Sequence, residues 1–299
     1  MIEKLEYLLA LAQEKHFGRA ADACGVSQPS LSLGLKQLEE ALGVMLVHRG
    51  SRFISLTAEG ERTLEWARRI VADSRAMRQD VKTLRNDLTG RLRIAVIPAA
   101  LPMIAKVTQG LFASHPQIDF TILSRPSSEI VSLLENLDID AALTYLDIDL
   151  PVKVTTIPIY RERYQLLTAK GSAFKRRKSA TWLDVSQLPL CLLTGDTQNR
   201  RIIESLLRDG GGVPRISVES NSMTVLFAHV LTGAWASVMP ERIAQAMGMA
   251  NDLHIVPIVE PDVVHTIGLV MPLREPATAL SAALAAEARR VGAVLMRSD

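Results

Sequence analysis

The chain has 299 residues, room for two or three domains, and its 48% hydrophobic and 22% charged residues suit a protein that buries a core. No apolar run reaches the length of a membrane span. A formal net charge of +2 does not announce a nucleic-acid partner, so such a function has to come from a local site.

The opening MIEKLEYLLALAQEKHF mixes acidic with apolar residues, which reads against a signal peptide and makes the cytoplasm the expected setting. Cys24 and Cys191 lie too far apart for a disulfide framework or a zinc site, and the six histidines lack metal-ligand spacing. Neither a cofactor nor a metal is expected.

Ile2, Leu5, Leu8, Leu9 and Ala12 recur at helical spacing, and Gly25 and Gly43 interrupt the helical pattern after them. The stretch 17–43 reads as a helix-turn-helix. Ala20 and Ala21 are small enough for close helix contact, Gly25 suits a left-handed turn, and Val26 can tuck into the core. Ser27 is a good N-cap, and Pro29 falls in the first turn, where a missing N–H does little harm. Leu31, Leu35, Leu38 and Leu42 form one apolar face. Gln28, Pro29, Ser30, Ser32, Leu33, Lys36 and Gln37 occupy the other face and the leading end, where polar groups can meet base edges and phosphates. Taken alone, this pattern also fits any small helical hairpin with a polar exterior.

From Ala58 to Leu88 there is neither Gly nor Pro after Gly60. Thr63, Ala67, Ile70, Ser74, Met77, Val81, Leu84 and Leu88 alternate spacings of four and three, a soft heptad seam suited to pairing with a second copy. At Gly90 the period changes. Strands are expected around Leu92–Val96, Phe120–Leu123 and Ala141–Tyr145, with helices over Met103–Ala113 and Ser128–Leu137 between them. The alternation continues through strands at Gln165–Ala169, Leu190–Leu193, Ile216–Val218, Ser237–Met239 and Thr266–Met271, with helices at Asn199–Arg208, Met223–Leu231 and from Ala277 onward. Alternation of this kind implies a parallel sheet, and two such units imply two lobes with a cleft between them.

Ser27-Gln28-Pro29-Ser30-Leu31-Ser32, Leu38-Glu39-Glu40-Ala41-Leu42-Gly43 and Leu56-Thr57-Ala58-Glu59-Gly60 resemble, at matching intervals, the SQPxLS, LEExLG and LTxxG motifs of LysR-type transcriptional regulators. The resemblance continues more loosely through LRIAVIP, SSEIVSLLENLDIDAAL and VLTGAWASVMPERIA. It implies an α/β protein: a winged helix-turn-helix domain (1–58), a linker and dimerisation helix (59–89), and an effector domain (90–299) resembling periplasmic solute-binding proteins. The expected lobes are 90–161 with 266–299, and 162–265, crossed near Arg161 and His265. Gln28, Pro29, Ser30, Ser32 and Lys36 should face double-stranded operator DNA, with Arg49 and Arg52 in the wing. Leu33 stands where the family commonly has a basic residue, and Gly34 sits mid-helix at a cost of about 1 kcal/mol against Ala.

In such folds ligands lie at strand C-termini and helix N-termini. Here that geometry selects Ala99, Ala100, Leu101, Ser124, Ser127, Ser128, Thr144, Thr194, Asn221 and Ser222 for a small polar or anionic effector, such as a carboxylate. Ala99 and Ala100 depart from the Ser or Thr often found there, so backbone N–H groups should carry more of the binding. A homodimer or homotetramer is expected, with RNA polymerase as a further candidate partner. A catalytic reading finds no nucleophile elbow, phosphate loop, metal cluster or paired carboxylates to stand on, and no enzyme is expected.

Overall fold

The computed structural model describes residues 1–49, 53–83, 88–150, 153–246 and 253–297. Arg52 and Leu84 therefore lie outside the described residues. The chain divides into two compact units, Met1–Asn86 and Asp87–Asp299.

In the first unit, α1 (Ile2–Glu14), α2 (Phe17–Ala23) and α3 (Gln28–Leu42) are followed by the short antiparallel strands β1 (Val47–Arg49) and β2 (Phe53–Leu56), and then by α4 (Ala58–Thr83). Leu8, Leu11, Ala20, Leu31, Leu35 and Leu38 are sealed from solvent in its core, joined by Leu46 and by Leu64, Ala67 and Val71 of α4. Gly25 ends the α2 turn at φ +67°, and Gly43 closes α3 at φ +72°, conformations that cost glycine little.

The heptad seam divides on this core. Ala67 and Ser74 are buried, whereas Trp66, Ile70, Met77 and Val81 form an exposed apolar stripe along α4. Leu88 lies beyond the described end of α4 and packs on the core of the second unit.

Among its described residues the second unit holds a five-stranded sheet, a four-stranded sheet and a two-stranded pair. The five-stranded sheet runs β4–β3–β5–β13–β6, built from β3 (Gly90–Val96), β4 (Ile118–Ser124), β5 (Ala141–Tyr145), β6 (Val154–Glu162) and β13 (His265–Pro272). α5 (Leu101–Ser114) and α6 (Ser127–Glu135) make the right-sized crossovers, and β3 pairs in parallel with both β4 and β5. The sheet is mixed rather than parallel, since β13 runs antiparallel to β5 and β6. β6 has no counterpart among the expected strands. Pro158 argues against a central strand, and the sheet accommodates it at the edge with a register shift beside Gly268.

The other lobe sets β7 (Tyr164–Ala169) between β11 (Ser237–Pro240) and β12 (Leu253–Val259), with the two-residue β8 (Ala180–Thr181) beyond β12. β9 (Pro189–Leu193) and β10 (Arg215–Ser220) pair in parallel, and a bridge from Leu190 to Ala236 joins them to this layer. α7 (Trp182–Ser186), α8 (Gln198–Asp209), α9 (Met223–Leu231) and α10 (Glu241–Ala246) cover it, and α11 (Ala279–Leu295) returns to pack along β6. The chain passes between the lobes twice, from β6 into β7 and from β12 into β13.

Candidate functional site

In the first unit the motif residues divide by task. Ser27 accepts a hydrogen bond from Ser30 N at 3.3 Å and starts α3. Glu39 turns inward and, though 5% exposed, is satisfied: its Oε1 accepts from Leu46 N at 2.9 Å and Val47 N at 3.3 Å. Thr57 donates to Met45 O at 2.7 Å and accepts from Gly60 N at 2.9 Å, capping α4. At Gly60 a Cβ would lie 2.0 Å from Leu46 O. Glu39, Thr57 and Gly60 therefore clasp the segment leading into the β1–β2 hairpin.

The outward residues of α3 are left to do something else. Gln28, Pro29, Ser30, Leu33, Lys36 and Gln37 are exposed, and Ser32 is half-buried at the edge of the same face. Ser30 Oγ lies 2.8 Å from Ser27 Oγ, and Lys36 Nζ is 3.7 Å from Glu40 Oε1 in an open i,i+4 pair that a phosphate can displace. Arg49 ends β1. Gly34, costly by propensity, is buried against Tyr7, whose ring carbons lie 2.7 Å from where a Cβ would stand.

In the second unit a cleft of about 580 Å³ opens between the lobes. Pro98, Leu101, Pro102, Ser124, Arg125 and Pro126 line it from one side, and Asp196, Thr197, Asn221, Ser222, Met223 and Thr224 from the other. The N-termini of α5, α6, α8 and α9 all border it. α8 is capped by Thr197, which accepts from Arg200 N, whereas α5, α6 and α9 start without any side-chain cap. Helix N-termini without a side-chain cap favour negative charge. Arg125 Nε is 2.7 Å from Glu129 Oε1, so its charge is already balanced, and Asp196 places a carboxylate on the far side.

Of the expected effector residues, Leu101, Ser124, Asn221 and Ser222 line this cleft. Ala99 and Ser127 line a smaller niche of about 10 Å³, room for about one water, together with Tyr145, Leu193, Gln198 and Asn199. Ala100, Ser128, Thr144 and Thr194 are not brought to either lining. Ala100 is sealed in the core, and Ser128 faces solvent. Thr144 is wholly buried with its hydroxyl 3.3 Å from Ser127 Oγ, and Thr194 Oγ1 is buried without a hydrogen-bond partner.

Sequence reasoning missed a cluster where the chain first passes between the lobes. Glu162, 1% exposed, accepts from Tyr145 OH at 2.8 Å and Tyr160 OH at 3.5 Å. Tyr145 OH in turn lies 3.5 Å from Tyr164 OH and accepts from Asn199 Nδ2 at 3.4 Å, so the network reaches from one lobe to the other. His265, at the second passage, packs edge-on against Tyr145 and Tyr164 and pairs with Asp147. Burial pushes the Glu162 carboxyl up to about 8, outweighing the opposing hydrogen bonds from the tyrosines, and Asp147 adds to the rise.

Among known proteins, residues 2–61 match the family model of the bacterial regulatory helix-turn-helix protein, lysR family, and residues 85–293 match the LysR substrate binding domain. The "Hydrogen peroxide-inducible genes activator" of Haemophilus influenzae is 26% identical over 303 residues, covering 97% of this chain and 98% of that protein. The Escherichia coli K12 "DNA-binding transcriptional dual regulator OxyR" is 25% identical over 290 residues, covering 95% of each. A full-length OxyR variant from Pseudomonas aeruginosa superposes with a TM-score of 0.76 at 25% identity, over 97% of this chain and 94% of that one. Full-length CbnR complexed with its target DNA shares the fold, with a TM-score of 0.67 at 22% identity, over 97% and 99% of the two chains. The chain belongs to the LysR family of DNA-binding transcriptional regulators, which are not enzymes and carry an effector-binding domain behind the helix-turn-helix.

Proposed function

We propose that this regulator is controlled by a small polar or anionic metabolite held reversibly between the lobes of the second unit. The cleft and its three uncapped helix N-termini carry this reading. A carboxylate at the N-termini of α5 and α6 leaves its other end facing Asp196, which suits a neutral or cationic tail. The head reads operator DNA with α3 in the major groove, using Gln28, Pro29, Ser30, Ser32 and Lys36, with Arg49 and Arg52 of the wing beside it. Two copies pair through α4, and closure of the lobes on ligand shifts the population of one head arrangement over another. The setting is the cytoplasm.

Several relatives are named for induction by hydrogen peroxide. Thiol chemistry is a poor match here. Cys191, the lone cysteine of residues 87–299, is fully buried, and burial pushes its thiol up to about 11, away from the reactive thiolate. Cys24 is in the head, and burial raises its thiol as well.

The test is a thermal-shift screen of the full chain against small carboxylates, amino acids and inorganic anions. A ligand at 100 times its Kd should stabilise the second unit by about 2.7 kcal/mol. Asn221→Ala should weaken that dose-response and leave operator affinity unchanged. A folded protein indifferent to every compound would overturn the anion reading.

A further inference from the structure

Leu33 is 57% exposed in the middle of α3, a helix capped by Ser27 and closed by Gly43. At 100° per residue it lies within about 20° of the direction opposite the buried stripe Leu31–Leu35–Leu38. It cannot turn inward. Gly34, the next residue, is pressed against the Tyr7 ring, and Glu39 is held on the other side by Leu46 N and Val47 N, so the rotation of α3 about its axis is fixed.

Its neighbours on the outward ridge are Ser30, one turn before, and Lys36 and Gln37, one turn after, all exposed. A ridge of hydroxyl, ammonium and amide groups is built for polar partners, and an isobutyl group at its centre is not. In a major groove one base-edge feature is apolar, the C5-methyl of thymine. Guanine and cytosine offer Leu33 only polar edges to desolvate without return.

We propose that Leu33 is a specificity-determining residue that reads a thymine methyl group in each half-site of the operator. This rests on the placement of α3 in the major groove. Leu33 offers the groove an aliphatic contact and no hydrogen bond, so one base pair of each half-site is chosen by its methyl group.

The full chain first selects its preferred sequence from a random duplex library. That duplex is then remade with deoxyuridine replacing each thymidine in turn, which removes the methyl group and keeps every Watson–Crick hydrogen bond. One replacement per half-site should weaken binding by the parent about fourfold, the worth of one buried methyl-sized group. Leu33→Ala should bind the thymine and uracil duplexes equally at that position, with other positions unaltered, and Leu33→Met should restore the difference. Selective binding that ignores every uracil, or that stays equally uracil-sensitive in Leu33→Ala, would overturn the Leu33 assignment and leave the groove placement standing. If the parent selects no sequence at all, the placement of α3 falls and the assignment with it.

Discussion

Gly60 and Gly34 are both helical glycines, and propensity alone says that alanine at either would gain about 1 kcal/mol. Their surroundings decide otherwise, and unequally. At Gly60 the added methyl meets a backbone carbonyl, Leu46 O at 2.0 Å, in a segment already tied by Thr57 and Glu39. At Gly34 it meets ring carbons of Tyr7 at 2.7 Å, so what has to shift there is a side chain rather than the backbone. Gly60→Ala should therefore lower the urea midpoint of the head's unfolding transition by the equivalent of about 1–3 kcal/mol, and Gly34→Ala by less. Equal midpoints for Gly60→Ala and the parent would mean that the Leu46 carbonyl moves freely. The motif containing Gly60 was visible in the sequence, but its reason was not. The clash is with a residue fourteen positions away, and no local pattern encodes that approach.

Among the elements, α4 shows how far periodicity reaches. The alternation of fours and threes picked out a helix with an apolar side, yet it combined two neighbouring stripes. Ala67 and Ser74 turn toward the head's own core, whereas Trp66, Ile70, Met77 and Val81 remain exposed. A helix of 26 residues presents both stripes at nearly the same spacing, so only the position of α1 beside it separates them. Replacing Ile70 and Met77 together by Glu should abolish self-association while the head stays folded, because neither side chain contributes to its buried core. Sedimentation velocity at micromolar concentration reads this directly, and a double variant that sediments like the parent would remove α4 as the pairing surface. Helices α5, α6, α8 and α9 were legible for the complementary reason, since each has one apolar face and that face is buried. β6 was hidden by Pro158, and β12 by Pro257, because proline is tolerated in these strands only through tertiary placement.

For the molecule as a whole, the cluster at the interlobe passage is the part least legible in sequence. Glu162 meets Tyr145 across 17 positions, and Tyr145 meets Asn199 across 54. Only the two-lobed topology brings these groups together. The cluster also gives the second unit a definite dependence on pH. Glu162 in the unfolded chain ionises at its ordinary value near 4.5, whereas burial in the folded chain holds it protonated up to about 8. Between those values the folded state carries a proton that the unfolded state has released, so stability falls as pH rises through the window. Below it both states are protonated and the penalty vanishes; above it both are ionised and the penalty stands in full. Glu162→Gln keeps an oxygen to accept from Tyr145 OH and removes the ionisation. Its melting temperature should exceed the parent's clearly at pH 8.5 and by much less at pH 5.5, because only at the higher pH does the parent bury a charge. Parallel melting curves for the two proteins across this range would show that the Glu162 carboxyl ionises normally, and that the tyrosines and Asn199 stabilise the anion as well as water does.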